Sequence, residues 1–146
     1  MSDLEKHYRS LENMYLTAPI NRFYKPRITV SHERTEIEID ITEKLFHSAG
    51  AVHGSVYFKM MDDAAFFAAN SIVLETFVLT SAFTTYLTKP IIEGQMKSIG
   101  KVVYRSKSQI IAESVVYNSQ GVEIGRGNGI FVKGKQLLVN VLGYNE

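Results

Sequence analysis

Residues Ser55–Ser71 read SVYFKMMDDAAFFAANS, and Lys59, Asp62 and Asp63 are the only charges among them. The second half, AAFFAA, is apolar on every side, which predicts a buried helix rather than one lying on a surface. On the N-terminal side the apolar period changes to two. Ile28 and Val30, then Ile37, Ile39 and Ile41 interleaved with Glu36, Glu38 and Asp40, predict antiparallel hairpin strands with one wet face. After the helix come four β-rich runs, about 77–88, 95–105, 109–117 and 122–132, separated by Pro90 with Gly94, by Ser106 to Ser108, and by Asn118 to Gly121. A short apolar segment, Leu137 to Leu142, is expected as an extra edge strand. Residues 2 to 20 read as a helix ending before Pro19, because Ser2 and Asp3 offer capping oxygens and Leu4, Tyr8, Leu11, Met14 and Tyr15 recur at helical spacing.

The order is therefore helix, strands, buried helix, then four strands with no helix between them. Parallel βαβ units need those intervening helices, so the class is α+β, with an antiparallel sheet curled around the central helix. At 146 residues and 45% hydrophobic content the chain is expected to be a single domain, 1–146. Sixteen Lys and Arg against fifteen Asp and Glu give a net charge of +1, which lacks the basic excess of a nucleic-acid wrapper. Zero cysteines exclude disulfides, thiolate metal sites and a thiol nucleophile together. The opening MSDLEKHYRSLENMY has no apolar signal region. The longest stretch free of Asp, Glu, Lys and Arg, Leu45 to Phe58, is fourteen residues against the roughly 20 needed to span a bilayer. A cytoplasmic protein without nucleic-acid or membrane partners is the expectation.

Two carboxylates in a buried helix call for an explanation, since an unpaired buried charge costs several kcal/mol. Adjacent helical residues point about 100° apart, so Asp62 and Asp63 occupy different environments. Asp63 lies one turn after Lys59 and seven before Asn70, which reads as an ion pair on a polar stripe. Asp62 has Phe58, Ala65, Phe66 and Ala69 as face neighbours. It is a structural or a catalytic acid, with Lys59 within reach, and the small Ala65 and Ala69 would admit another backbone or subunit.

The approach to the helix, Phe46 to Ser55, is rich in small residues. Glycines at a helix N-terminus expose N–H groups and the positive dipole end, which suits a developing oxyanion at Gly54; alternatively Gly50 and Gly54 only make a tight turn and Ser55 caps the helix. His47 and His53 fall in the same loop, but two histidines six apart without cysteine form no standard ligand set, so no metal is expected. Gly125-Arg126-Gly127-Asn128-Gly129 superficially resembles a phosphate loop; with no helix following, its glycines are expected to be structural. Lys101, Arg105 and Lys107 form a basic cluster, either a solvated face or a contact for phosphates. Tyr57, Phe58, Phe66 and Phe67 read as core, with one or two lining an acyl pocket.

The segment Gly50 to Ala65, followed by Thr80 to Pro90 and Gly94, resembles the hotdog-fold acyl-coenzyme A thioesterases of the phenylacetate-pathway (PaaI-like) branch. That branch carries Asn-x-x-Gly-x-x-His-Gly-Gly, an acid nine residues after the His, and a Ser or Thr ten before a Pro. Here Gly50, His53 and Gly54 match, Asp62 falls nine after His53, and Thr80 falls ten before Pro90. His47 stands where the branch has Asn, and Ser55 where it has the second Gly.

The resemblance, over roughly residues 35 to 132, implies a hotdog fold in which two copies pair to build two shared sites. Dimers of such chains associate into tetramers in different ways. It implies that the Gly54 N–H polarises a thioester carbonyl and that Asp62 of the other subunit acts as base or nucleophile. Thr80 holds the carboxylate or water, while His47 and His53 shape the loop. Ser55, Phe66, Arg105 and Lys107 are the expected substrate contacts, an acyl-coenzyme A the expected substrate, and no cofactor is expected. The alternatives are a non-catalytic acyl-coenzyme A-binding domain, against which the retained Asp62 counts, and a hydratase of the same fold, whose motif arrangement is not seen.

Overall fold

The computed structural model describes residues 1–145. Helix α1 (Asp3–Thr17) begins where Ser2 Oγ accepts the Glu5 N–H at 3.1 Å, as the capping oxygens predict. It stops at Thr17, before Pro19 as expected, because Ala18 turns extended with ψ 132°, the conformation a residue before proline favours. A short helix, α2 (Asn21–Tyr24), follows. Strands β1 (Arg27–Ser31), β2 (Arg34–Asp40), β3 (Thr76–Leu87), β4 (Gln95–Arg105), β5 (Ile110–Tyr117) and β6 (Glu123–Leu137) form one antiparallel sheet in the order β1-β2-β4-β5-β6-β3. The central helix α3 (Gly54–Asn70) lies across its inner face, giving the α+β hotdog architecture. No helix among the described residues is long and apolar enough to cross a membrane.

The helix is seated by Gly100. A Cβ there would overlap the backbone of Ala64 and Ala65, so only glycine lets β4 and α3 approach this closely. The glycines of β6 act similarly: Gly125 faces Tyr57 and Met61 of α3, while Gly127 and Gly129 leave the space taken by the Phe83 ring. The Gly125–Gly129 run is thus packing, as its position on a strand predicted.

Burial of α3 is not all-round. Met60, Met61, Ala64, Ala65, Ala68 and Ala69 are sealed, but Phe58 is 43% exposed and Asp62 and Phe66 are partly open. These three residues, spaced by four, form the row facing the edge strand β3. Phe58 meets Phe83 edge-on at 5.8 Å, Asp62 meets Thr80, and Phe66 meets Phe77 at 5.0 Å. An edge strand has no further neighbour to cover the helix beyond it, so this row stays accessible; Lys59 and Asp63, on the side toward α1, are partly open as well. Ala65 and Ala69 pack against this chain's own Val78, Ile110, Ala112 and Phe131, and the backbone they admit is that of the sheet.

Two other expectations change. Asn70 does not sit on an exposed stripe: it is fully buried, its Nδ2 donating to the Val73 and Thr76 carbonyls and its Oδ1 accepting the Val78 N–H, which pins the turn from α3 to β3. The segment 137–142 is not a separate strand. Strand β6 continues to Leu137, paired with β3 at Val78↔Lys133 and Thr76↔Leu137. Gly134 permits this by leaving room for the Phe77 carbonyl. Leu138–Asn140 then form a 3-10 turn that buries Leu138 and brings Val141 against the core.

Gly100→Ala is expected to cost about 1–3 kcal/mol through overpacking against a backbone that cannot rotate away, lowering the melting temperature by several degrees. A thermal melt superimposable on wild type would contradict the seat described.

Candidate active site

The two adjacent carboxylates have opposite fates. Asp63 accepts the Tyr15 hydroxyl at 2.6 Å and forms an ion pair with Lys59, one turn earlier. The Lys59 ammonium also lies 5.1 Å and 4.9 Å from the Tyr15 and Tyr24 ring centres, an arrangement that holds a cation without water. Asp63 is therefore the structural acid. Burial, followed by the neighbouring Asp63 charge, pushes the Tyr15 hydroxyl well above its ordinary pKa, so it stays a donor. Sequence spacing identified Tyr15 only as core; its one polar atom on an otherwise apolar helix face was the sole hint of this bond.

Asp62 accepts a single hydrogen bond, from Thr80 Oγ1 to Oδ1 at 2.9 Å, leaving Oδ2 without a protein partner among the described residues. Thr80 precedes a register shift in the β3–β6 pairing, between Thr80 and Ala82, and a bulge of this kind re-aims side chains. Burial raises the Asp62 pKa to about 6, assisted by Asp63 and opposed by the Thr80 bond and Lys59. The result is a carboxylate that is ionised near neutrality yet more basic than a solvated one. It opens on a cavity of about 480 Å³ whose walls come from α1, α3, β3 and the C-terminal turn.

Gly54 belongs to a second cavity, of about 340 Å³, with His47, Tyr57, Leu87 and Lys89. The loop before it is tightly tied. His47 N–H donates to Ala51 O at 2.8 Å, Gly50 N–H to His47 O at 3.0 Å with Gly50 at φ +85°, and His53 N–H to Leu45 O at 2.8 Å. The cap of α3 is His53, not Ser55: His53 Nδ1 accepts the Ser55 N–H at 3.0 Å and lies 2.8 Å from the Ser55 hydroxyl. His47 Nδ1 likewise accepts the Ala49 N–H at 3.0 Å. Accepting at Nδ1 leaves Nε2 of each neutral ring as the protonated nitrogen. As the first residue of the helix, Gly54 has an N–H with no intrahelical acceptor, and it points with the positive end of the helix dipole.

Within one chain Asp62 and Gly54 do not meet. Eight residues of α-helix separate them, roughly 12 Å along the axis, and they open on different cavities. Phe66 lines the same cavity as Asp62. Arg105 and Lys107 stand in neither: Arg105 pairs with Glu33 at 3.2 Å, a residue whose N–H is bound by Ser71 at the far end of α3, and Lys107 lies exposed in the turn between β4 and β5. Among the described residues no group of three or more His, Asp or Glu side chains stands close enough to hold a metal ion.

A six-stranded antiparallel sheet wrapped around one long central helix is the hotdog fold. The chain belongs to the thioesterase superfamily, whose family model matches residues 49–124. Solved structures with the same fold include the PaaI protein of the Escherichia coli phenylacetic acid degradation operon, with TM-score 0.83 and 17% identity, covering 93% of this chain and 99% of that one. A thioesterase family protein from Silicibacter pomeroyi has TM-score 0.78 and 22% identity, covering 88% and 99%. A mutant thioesterase enzyme from Staphylococcus aureus has TM-score 0.74 and 16% identity, covering 80% and 100%. No curated protein matches the chain in sequence.

Because the folded-state pKa of Asp62 lies above that of an ordinary solvated carboxyl, ionising it works against folding, and this cost grows as pH rises toward and through about 6. Asp62→Asn is therefore expected to raise the melting temperature by a few degrees at pH 8, the gain vanishing toward pH 4. An Asn variant less stable than wild type at pH 8 would contradict this environment.

Proposed function

We propose that the protein hydrolyses the thioester of an acyl-coenzyme A, with Asp62 as general base and the Gly54 N–H as oxyanion donor. The observation that carries this reading is the Asp62 carboxylate, held by Thr80 with one oxygen free, its proton affinity raised to about 6, on the edge of an apolar cavity. Asp62 Oδ2 takes a proton from water as the hydroxide oxygen bonds to the thioester carbon. The carbonyl electrons move onto oxygen, where the Gly54 N–H and the helix dipole stabilise the charge. Collapse breaks the C–S bond; the sulfur leaves as thiolate and receives the proton from Asp62, giving free acid and coenzyme A.

An oxyanion donor must stand about 3 Å from the oxygen, and the base within one water of the same carbon. A separation of roughly 12 Å within one helix excludes Gly54 and Asp62 of the same copy. The complete site is therefore formed between two copies, Gly54 of one meeting Asp62 of the other. The edge strand β3 supports this pairing: it is twelve residues long and carries exposed Leu79, Tyr86 and Leu87, an edge that association covers. His47 and His53 hold the loop and cap rather than attack, since each spends Nδ1 on a backbone N–H.

Asp62→Asn should lower kcat on acyl-coenzyme A substrates by about 10²–10⁴-fold. In the wild type kcat/KM should fall below pH about 6 as Asp62 protonates, and Thr80→Val should move that limb to higher pH by removing a bond that favours the carboxylate. Unchanged turnover in Asp62→Asn would overturn the reading.

Gly54→Pro removes the N–H at a position where proline suits the first turn of a helix and His53 already has the φ −62°, ψ 142° that a residue before proline prefers; its Cβ meets the flexible Leu87 Cδ1 at 3.1 Å, so Gly54→Ala, which adds the same Cβ and keeps the N–H, is the control. The proline variant should lower kcat by about 10²–10³-fold. Mixing inactive Asp62→Asn and inactive Gly54→Pro chains should restore roughly a quarter of the wild-type sites, those in mixed dimers with both groups intact. No recovery after verified subunit exchange would contradict a shared site.

A further inference from the structure

The cavity beside Asp62 is walled by segments outside the family-matched residues 49–124. Its floor is the family core: Phe66 from α3, Phe77 and Leu79 from β3. The facing wall comes from the α1–α2 junction and the C-terminal turn, where Ile20 and Leu142 stand well exposed at the rim. Neither residue is needed by the core, so their placement over an apolar cavity asks for an occupant. The charge pattern states which kind. Asp62 and Asp63 are the acids on this lining, and Lys59, the one cation among the described lining residues, is already taken by Asp63 and lodged against Tyr15 and Tyr24. A carboxylate-bearing chain would find no counter-ion here, whereas a neutral hydrocarbon would bury its surface.

We propose that this cavity receives the acyl chain, that it selects neutral aliphatic chains over carboxylated ones, and that Ile20 and Leu142 set the length it accepts. The assignment deepens the thioesterase reading and rests on it for the identity of the ligand, but the residues concerned take no part in the chemistry. Chain length is limited by Ile20 and Leu142, whose exposed side chains lie outside α3 and the sheet. Volume supports a chain of more than a few carbons, since about 480 Å³ falls in the range of a small-molecule site.

The test is direct binding of S-alkyl-coenzyme A thioethers, which have no carbonyl and cannot be hydrolysed, measured by calorimetry on the wild-type protein, Ile20→Trp and Leu142→Trp. In the wild type the affinity should rise roughly fourfold per methylene between S-propyl and S-octyl, and a thioether ending in a carboxylate should bind at least tenfold more weakly than the alkyl chain of equal length. Each tryptophan variant should weaken S-octyl-coenzyme A by tenfold or more and leave S-methyl-coenzyme A unchanged. Affinity indifferent to chain length, a carboxylated chain bound as well as the alkyl one, or S-octyl binding untouched in both variants would overturn the assignment. Because turnover is not read, a protein that binds in this pattern but hydrolyses nothing refutes the catalytic reading alone, and one that hydrolyses with a flat binding profile refutes the cavity alone.

Discussion

The contact between Gly100 and the backbone of Ala64 and Ala65 places everything else. With no side chain between them, α3 and β4 lie closer than any Cβ at position 100 would allow. The helix is thereby held at a set depth and rotation over the sheet. Met60, Met61, Ala64, Ala65, Ala68 and Ala69 are turned inward, and the row Phe58, Asp62, Phe66 is left against β3. A deeper or rotated helix would have hidden Asp62 among aliphatic side chains or released it to water. In the first case it would be neutral and in the second an ordinary carboxylate.

Asp62 and Asp63 show how one residue of helical rotation separates structure from chemistry. Asp63 turns toward α1, where a phenol and an ammonium satisfy it, and that triad ties the N-terminal helix to the core. Asp62 turns toward the edge strand, where a single hydroxyl steadies one oxygen. The Asp63–Lys59 pairing also shapes its neighbour: were Lys59 not engaged there, its charge would favour ionised Asp62 more strongly.

The same geometry makes the isolated chain incomplete as the proposed catalyst. A helix that carries its acid two turns from its N-terminus cannot bring both ends to one carbon atom. The long apolar edge of β3, costly to leave in water, lies beside the acid. In the proposed reading, assembly and catalysis are served by one surface, while the N- and C-terminal segments are left to shape the cavity for the acyl chain.

Much of the architecture was legible in the chain itself. The apolar AAFFAA run and the charge-poor helix around it, the two-residue alternation near Ile37, and the punctuation at Pro90, Gly94 and Asn118–Gly121 predicted α+β, because hydrophobic period and turn chemistry are local properties. The choice of Asp63 as the paired acid followed from its spacing to Lys59 for the same reason. What tertiary structure alone decided was non-local. The exposure of Phe58 depends on which strand lies at the sheet edge. The cap passed from Ser55 to His53 because the loop geometry turned that ring onto the helix terminus. Arg105, adjacent to nothing in the sequence that marks it as remote, came to lie near the far end of α3 through Glu33 and Ser71, and Lys107 in an exposed turn. Tyr15 and Leu142, 47 and 80 residues from Asp62 in the chain, meet the same cavity because the sheet folds the termini back over the helix. Distances of that kind are set by how the sheet curls, a property of the whole set of contacts rather than of any one segment.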